Sequence, residues 1–360
     1  DETPVVIGGG GVLRNPSNAE LAAMLGLGSR GAPPSMCDLV IVGGGPAGLA
    51  AAVYGASEGL DTQAIDGIAF GGQASTSARI ENYLGFPTGI SGSELAERAQ
   101  LQARRFGARL VVPAEAVALT DADTHFAVEL ADGSIVNGRT IIVATGAQYR
   151  KLDVPGYASC ESAGCIYYAA TLTEGLRCAT DPVVIVGGGN SAGQAAMFLS
   201  QHAASVRLLI RGDSLAKSMS RYLIKEIEAQ GQIEVLMQTE IVKLSGDMAL
   251  QSVTVKDRRS GELAQLAAKA LFVFIGASPH TDWLSGHVAM DEHCFLLTGR
   301  DVPDEQLESW NGQRPLFLET SRRGIFAVGD VHSGSVKRVA SAVGEGSMAV
   351  QLIHHRLAEL

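Results

Sequence analysis

A chain of 360 residues with 46% hydrophobic and 18% charged content has the make-up of a well-packed globule of about two domains. Its net charge of −10 argues against nucleic acid or an anionic membrane as partner, since both need a basic face, and no apolar run is long enough to cross a bilayer. The five cysteines, Cys37, Cys160, Cys165, Cys178 and Cys294, are odd in number and scattered, which excludes a secreted disulfide framework and sets the expectation of a reducing cytoplasm.

Residues 1–36 stand apart. Thr3-Pro4-Val5-Val6-Ile7 reads as a short strand, glycines 8–11 as a turn, and Ser17-Asn18-Ala19-Glu20 as a capping box that opens a short helix through Leu27. Gly28 to Ser35 reads as linker. The chain begins at Asp1 rather than Met, so residues upstream of it are expected.

From Asp38 the order is strand, glycine loop, helix, strand. Gly43-Gly44-Gly45-Pro46-Ala47-Gly48 follows an apolar run, a helix is predicted from Ala47 to about Ser57, and a strand over Thr62–Ile65 ends at Asp66. In such a loop the first glycine permits a tight turn, the second lets backbone approach a pyrophosphate, and the third position must be small so that helix and strand can pack. The pyrophosphate then rests on the unpaired N–H groups of the helix N-terminus. Asp66, 23 residues past Gly43, stands where a carboxylate accepts from a ribose hydroxyl.

A helix over about Ser93–Phe106 follows, then short strands at 110–112, 116–119 and 126–130, and an apolar strand running into Ala144-Thr145-Gly146. Leu152-Asp153-Val154-Pro155-Gly156 breaks both periodicities and marks a crossing into a second domain. There the glycine loop recurs as Gly187-Gly188-Gly189-Asn190-Ser191-Ala192, followed by a helix (191–201), a strand (206–210), a helix near 222–229 and strands ending at Gly276. Gly324 to Asp330 reads as a buried strand with Gly329-Asp330 at its end, and Ser335 to Leu357 as largely helical. The order predicts an α/β fold of two Rossmann-like, three-layer domains, the second inserted in the first. Their boundaries are 37–150 with 277–360, and 151–276, after an arm at 1–36. Two phosphate loops mean two dinucleotides, and a protein holding both is most simply moving electrons between them.

The Gly43–Gly48 loop, Gly71-Gly72-Gln73, Glu81-Asn82-Tyr83, Ala144-Thr145-Gly146, the loop at 187–192 and Gly329-Asp330 together resemble, in order over about residues 38–358, the thioredoxin reductase type of FAD- and NAD(P)H-dependent oxidoreductase. The resemblance implies that Gly43, Gly45, Pro46, Ala47 and Gly48 bind the FAD pyrophosphate and Asp66 the adenosine ribose. Gln73 and Asn82 would lie near the isoalloxazine, and Gly72, Ala144, Thr145 and Gly146 would also bind FAD. Asp330 would hold the ribityl chain, with Gly329 also binding FAD, while the helix starting around Arg338-Val339-Ala340 would aim N–H groups at the pyrimidine end of the flavin. The second domain would bind NADPH or NADH through Gly187, Gly189, Asn190, Ser191, Ala192, Arg211 and Gly276. Arg211 leans toward the phosphorylated cofactor, where an NAD site would show an acid. The family's basic cluster, His-Arg-Arg with a further Arg four positions on, reads here Ile210, Arg211, Gly212 and Ala216, with Lys217 or Arg221 as candidate substitutes. Homodimers are implied too. Residues 1–36 resemble the last strand and helix of a thioredoxin or glutaredoxin fold with a cis proline at Pro4; a packed N-terminal arm is the alternative.

One departure bears on mechanism. The family's redox Cys-x-x-Cys falls, on alignment through Tyr168, at Ala169 and Leu172, and neither side chain carries electrons. Dithiol exchange needs a thiolate and a second thiol to resolve it. Cys160 and Cys165 could form a displaced dithiol, an external thiol pair could be supplied, or electrons could pass directly to a quinone, a metal complex, a second flavin or oxygen. The expected activity is therefore hydride transfer from NAD(P)H to FAD and on to an unidentified small-molecule or redox-protein acceptor. The alternatives are a non-catalytic FAD-binding sensor or interaction protein, and a disulfide reductase using Cys160 and Cys165. No metal site is expected: His354-His355 reads as a solvated helix end. Gly189-Asn190-Ser191-Ala192-Gly193 also fits a hydrolase elbow, but the phosphate loop already explains it. His280 and His332 stand beside the flavin-domain motifs as structural histidines or proton sources.

Overall fold

A computed structural model describes residues 5–8, 11–16, 20–21, 24, 36–77, 80, 82–122, 124–170, 172–246, 249–307, 310 and 312–359. The chain divides into two compact units, Asp1–Gln148 with Ser278–Leu360, and Tyr149–Ala277. At the N-terminus Val5–Gly8 pairs antiparallel with Gly11–Arg14, Gly8 opposite Gly11. The second of these strands has no signal in the sequence, because four residues are too few to establish a period. Pro4, the capping-box residues 17–19 and the linker 28–35 lie outside the described residues.

The first unit is built on Met36–Val42 (β1), Thr62–Ile65 (β2), Arg109–Val111 (β3), Ala116–Ala122 (β4), His125–Leu130 (β5) and Ile135–Val143 (β6), in the order β3-β2-β1-β6-β5-β4. β1 runs parallel to both β2 and β6, and Leu39, Val40 and Ile41 are wholly buried. That is the environment of a central parallel strand, and it explains an apolar run without alternation. β4, β5 and β6 form an antiparallel meander. Helix α1 (Pro46–Ser57) opens on a proline whose fixed φ suits the first helical position. Helix α2 (Gly92–Arg105) is capped by its own Ser91, whose Oγ accepts the Glu94 N–H at 3.2 Å.

The second unit contains α3 (Tyr157–Ser162), β7 (Ile166–Tyr167), α4 (Leu172–Arg177), β8 (Pro182–Val186), α5 (Asn190–Leu199), β9 (Ser205–Leu209), α6 (Arg221–Ala229), β10 (Ile233–Leu236), β11 (Thr239–Ser245), β12 (Ser252–Asp257), β13 (Leu263–Ala267) and β14 (Ala270–Val273). A parallel sheet in the order β7-β14-β8-β9-β10 carries α5 and α6, and β11-β12-β13 form a separate antiparallel sheet.

Returning to the first unit, Ile325–Ala327 (β15) adds parallel to the C-terminal half of β6, and Val339–Leu357 (α7) closes the chain. The helix starts later than the apolar pattern from Ser335 predicts. Lys337 is drawn back to Ser335 Oγ (3.2 Å) and the Asp330 carbonyl (3.5 Å), and Arg338 is extended, so the run 335–338 cannot wind. α7 lies hard on α1: a Cβ on Gly346 would stand 2.3 Å from the Ala47 carbonyl oxygen. Near its end Arg356, 5% exposed, meets the fully buried Glu319 in a bidentate pair at 2.8 Å on each arm.

Candidate functional site

Sequence places the first glycine loop between a strand end and α1, and the packing leaves no room for side chains there. Gly43 sits at φ +110°, and a Cβ on Gly48 would lie 1.9 Å from the Gly43 carbonyl oxygen. Gly45, by contrast, has nothing within 4 Å of where its Cβ would be. It is the N-cap of α1 and supplies no side-chain cap, so the first N–H groups of the helix are left for an outside acceptor. This differs from α2, which caps itself. Asp66 holds the loop in place: Oδ2 accepts the Gly44 N–H at 2.7 Å, and Oδ1 accepts the Ile68 and Ala69 N–H groups at 2.8 and 3.0 Å. A carboxylate has roughly four acceptor positions, so one remains for a hydroxyl.

Four other segments close on this loop. Gly72 packs against Gly45, since a Cβ on Gly72 would stand 2.9 Å from the Gly45 Cα. Gln73 donates its amide to the Ala147 carbonyl, fixing the segment after Ala144-Thr145-Gly146. Thr145 Oγ1 donates to the His280 carbonyl at 2.8 Å. Gly329, at φ +73°, presses on the first turns of α1 and α7, with Ala47 and Ala342 at 3.1 and 3.8 Å from its would-be Cβ. Asp330 follows, its carboxyl raised above the usual range by burial first, then by Glu345, against Lys337 and His332. Arg338 is the N-cap of α7 and makes no side-chain cap, which leaves the N–H groups at Val339 and Ala340 unclaimed by a cap. Asn82 lies exposed on the loop after Ile80.

In the second unit Gly187 is at φ +144°, its would-be Cβ 2.3 Å from the Phe274 carbonyl oxygen, and Ala192 is buried where the third small residue belongs. α5 begins at Asn190 behind an uncapped Gly189. Asn190 Oδ1 accepts the Ser220 N–H at 2.8 Å, and Ser218 Oγ donates to the Gly188 carbonyl at 2.9 Å, so the segment before α6 is laced to the loop. The Ser220 hydroxyl is buried with no partner, an orphan beside the loop. Ser191 is exposed in the first turn of α5. Arg211 is exposed at the end of β9, and Arg258, on the β12–β13 turn, reaches its carbonyl at 3.2 Å while lying 3.5 Å from Glu240. Lys217 is engaged with Asp213 at 2.8 Å. Gly276, at φ +97°, accepts the Arg150 N–H through its carbonyl at 3.0 Å. Arg258, Ser218 and Ser220 escape sequence reasoning because they come from a hairpin and a turn distant along the chain and belong to no spacing rule.

The segment aligned with the family's redox pair is held by tyrosines. Tyr168 donates to Glu161 Oε1 at 2.8 Å, its hydroxyl meets that of Tyr157 at 2.6 Å, and its ring stacks on Tyr149 with centroids 4.9 Å apart. Burial above all, with the bonds to Tyr157 and Glu161, pushes the Tyr168 hydroxyl pKa well upward. Ala169 is exposed, Leu172 opens α4, and Thr171 lies outside the described residues. None of the five cysteines is in a disulfide. Cys160 and Cys165, 3% and 7% exposed, belong to the core cluster beneath β12 and β14, where Cys165 Sγ accepts the Leu250 N–H at 3.3 Å. Burial, then Cys165, pushes the Cys160 thiol pKa up, and burial pushes Cys178 up to about 11. Thiols held in apolar surroundings are poor nucleophiles.

The sequence pattern of the family described as pyridine nucleotide-disulphide oxidoreductase matches residues 37–346. The chain belongs to that family. It is a thioredoxin reductase-like FAD-dependent NAD(P)H oxidoreductase with a mixed α/β, Rossmann-like fold. It is 31% identical over 324 residues to a thioredoxin reductase of Streptomyces clavuligerus, covering 90% of this chain and 94% of that one. It is 34% identical to a thioredoxin reductase of Treponema pallidum, covering 87% and 94%. Among solved structures, the thioredoxin reductase of Giardia duodenalis superposes with a TM-score of 0.78 at 27% identity, covering 90% of this chain and 99% of that one.

Proposed function

We propose that the first unit binds FAD and the second NAD(P)H, and that hydride passes from the nicotinamide to FAD and on to an acceptor without a cysteine pair of this chain. FAD supplies the capacity to take two electrons and release them singly or together. What supports the first assignment is the pairing of an uncapped α1 N-terminus with Asp66 on the neighbouring strand end: the N–H groups suit a pyrophosphate and the remaining carboxylate position suits a ribose hydroxyl. Asp330 and the start of α7 would hold the ribityl chain and the pyrimidine end of the flavin. In the second unit the uncapped α5 N-terminus takes the other pyrophosphate, and Arg211 with Arg258 beside it favours the 2′-phosphate of NADPH.

The absent sulfur relay rests on Ala169 and Leu172, on the lack of any Cys-x-x-Cys in the chain, and on the burial of Cys160 and Cys165. A reductase using that buried pair is accordingly the weaker reading. The acceptor is a small molecule or a redox protein that brings its own thiols, and the setting is cytoplasmic. Homodimers follow from the family, and an apolar groove of about 610 Å³ lined by Leu49, Val53, Tyr54, Leu95 and Phe106, with Leu84 94% exposed on the adjoining loop, offers them a face. Rapid anaerobic mixing of the FAD-loaded protein with NADPH or NADH tests the proposal: flavin absorbance bleaches with at least one of them, and no bleaching with either rejects it.

A further inference from the structure

The Gly329–Asp330 turn is fastened from below by Glu345, which no sequence motif marks, and by His332. Glu345, in the second turn of α7, reaches back so that its Oε2 accepts the Gly329 N–H at 2.6 Å. The same oxygen lies 3.1 Å from His332 Nε2, and His332 Nδ1 lies 2.8 Å from the Ser333 carbonyl oxygen. The imidazole therefore bridges the Ser333 carbonyl on one side and the Glu345 carboxylate on the other. Both groups are enclosed, with side chains 10% and 17% exposed. Around them stand Asp330, Lys337, whose ammonium lies 4.8 Å over the Phe295 ring, and Asp291, which accepts from Ser333 Oγ at 2.8 Å.

The geometry points to Glu345, braced by His332, as a positioning residue for the flavin: it locks Asp330 and the N-terminus of α7 into one frame so that both address the same bound FAD. The inference rests on the reading of the first unit as the FAD site. Gly329 cannot be moved without consequence, because it is already pressed between Ala47 and Ala342. Without Glu345 its enclosed N–H loses its acceptor, and the turn is free to seek another position. His332 acts through Glu345.

The test uses the full chain, stripped of flavin and titrated with FAD, for wild type, Glu345→Ala, His332→Leu and His332→Gln. The glutamine amide can place a donor where Nε2 stands, whereas leucine cannot. Glu345→Ala is expected to raise the FAD dissociation constant about tenfold or more and to move the flavin midpoint potential away from the wild-type value. His332→Leu should raise the constant severalfold, and His332→Gln should recover most of that loss. Thermal unfolding of each apoprotein separates loss of fold from loss of grip. Wild-type affinity and potential in both Glu345→Ala and His332→Leu overturn the inference, as does an equal loss in the leucine and glutamine variants. A wild-type chain that takes up no FAD overturns the reading of the first unit and the inference together.

Discussion

In the first unit the glycine loop is tied by a carboxylate on the adjacent strand end, with Asp66 taking the Gly44, Ile68 and Ala69 N–H groups, while in the second unit the corresponding loop is tied by Asn190 and Ser218 to the turn before α6. Both leave an uncapped helix N-terminus facing outward. The difference lies in what surrounds that helix end. Around the first, rigid parts converge: Gly72 on Gly45, Gly329 on Ala47, Gly346 on the α1 backbone. Around the second stand exposed arginines, a serine turn and a buried hydroxyl without a partner. On the proposed assignment, the convergent parts of the first crevice suit a retained cofactor and the open surroundings of the second an exchanged one.

That contrast is broken most forcefully at the glycines. Gly48→Val should yield a colourless protein, because the added carbons meet the Gly43 carbonyl at 1.9 Å, and absorbance near the flavin maximum checks it. Gly187→Val should stay yellow yet resist bleaching by NADPH, since its clash, with Phe274, lies within the second unit. If either substitution produces the other's phenotype, the cofactors are assigned to the wrong units.

Next in size is the buried ion pair that secures α7 to the first unit. Arg356→Met leaves Glu319 buried with two of its hydrogen bonds gone, which costs about 3–5 kcal/mol. Urea unfolding should show that loss in a transition accompanied by flavin release, with the second unit's transition unmoved. Smaller effects are expected at the second crevice. Arg211→Ala should cut the preference for NADPH over NADH about tenfold, and Arg258→Ala severalfold, read as ratios of kcat/KM.

The smallest effect concerns apoprotein stability. The Asp330 carboxyl is raised in the fold, mainly by burial, so the folded chain binds its proton more tightly than the unfolded chain, whose Asp pKa is about 3.9. The ionised form therefore costs stability above the folded pKa, and falling pH relieves that cost down to the unfolded value. Asp330→Asn should raise the apoprotein Tm by a few degrees at neutral pH, with the difference closing as pH falls through that window. FAD binding should weaken in the same variant.

The first crevice was largely legible because its parts obey spacing rules: the loop, Asp66 and the small residues of α1 follow from strand–turn–helix geometry. The strand and helix order was legible for the same reason, apolar runs being buried on both faces. What escaped lies in contacts across the chain. Glu345 sits in a helix whose sequence does not mark it, the sequence singles out His332 but not its bond to Glu345, and Arg258 comes from a hairpin remote from Arg211. The start of α7 was misplaced because Lys337 bonds backward to Ser335, a local preference that periodicity does not carry. Burial of Cys160 and Cys165 was likewise invisible, since short Cys spacing reads the same in a core as at a surface.

The most direct test of the central claim is a thiol titration under denaturing conditions, made on the FAD-loaded chain before and after anaerobic reduction by NADPH. Flavin colour is expected to be lost while the number of titratable thiols stays at five per chain. A lower count before reduction, rising by two afterwards, would reveal a cysteine pair taking electrons from the flavin and would contradict that claim.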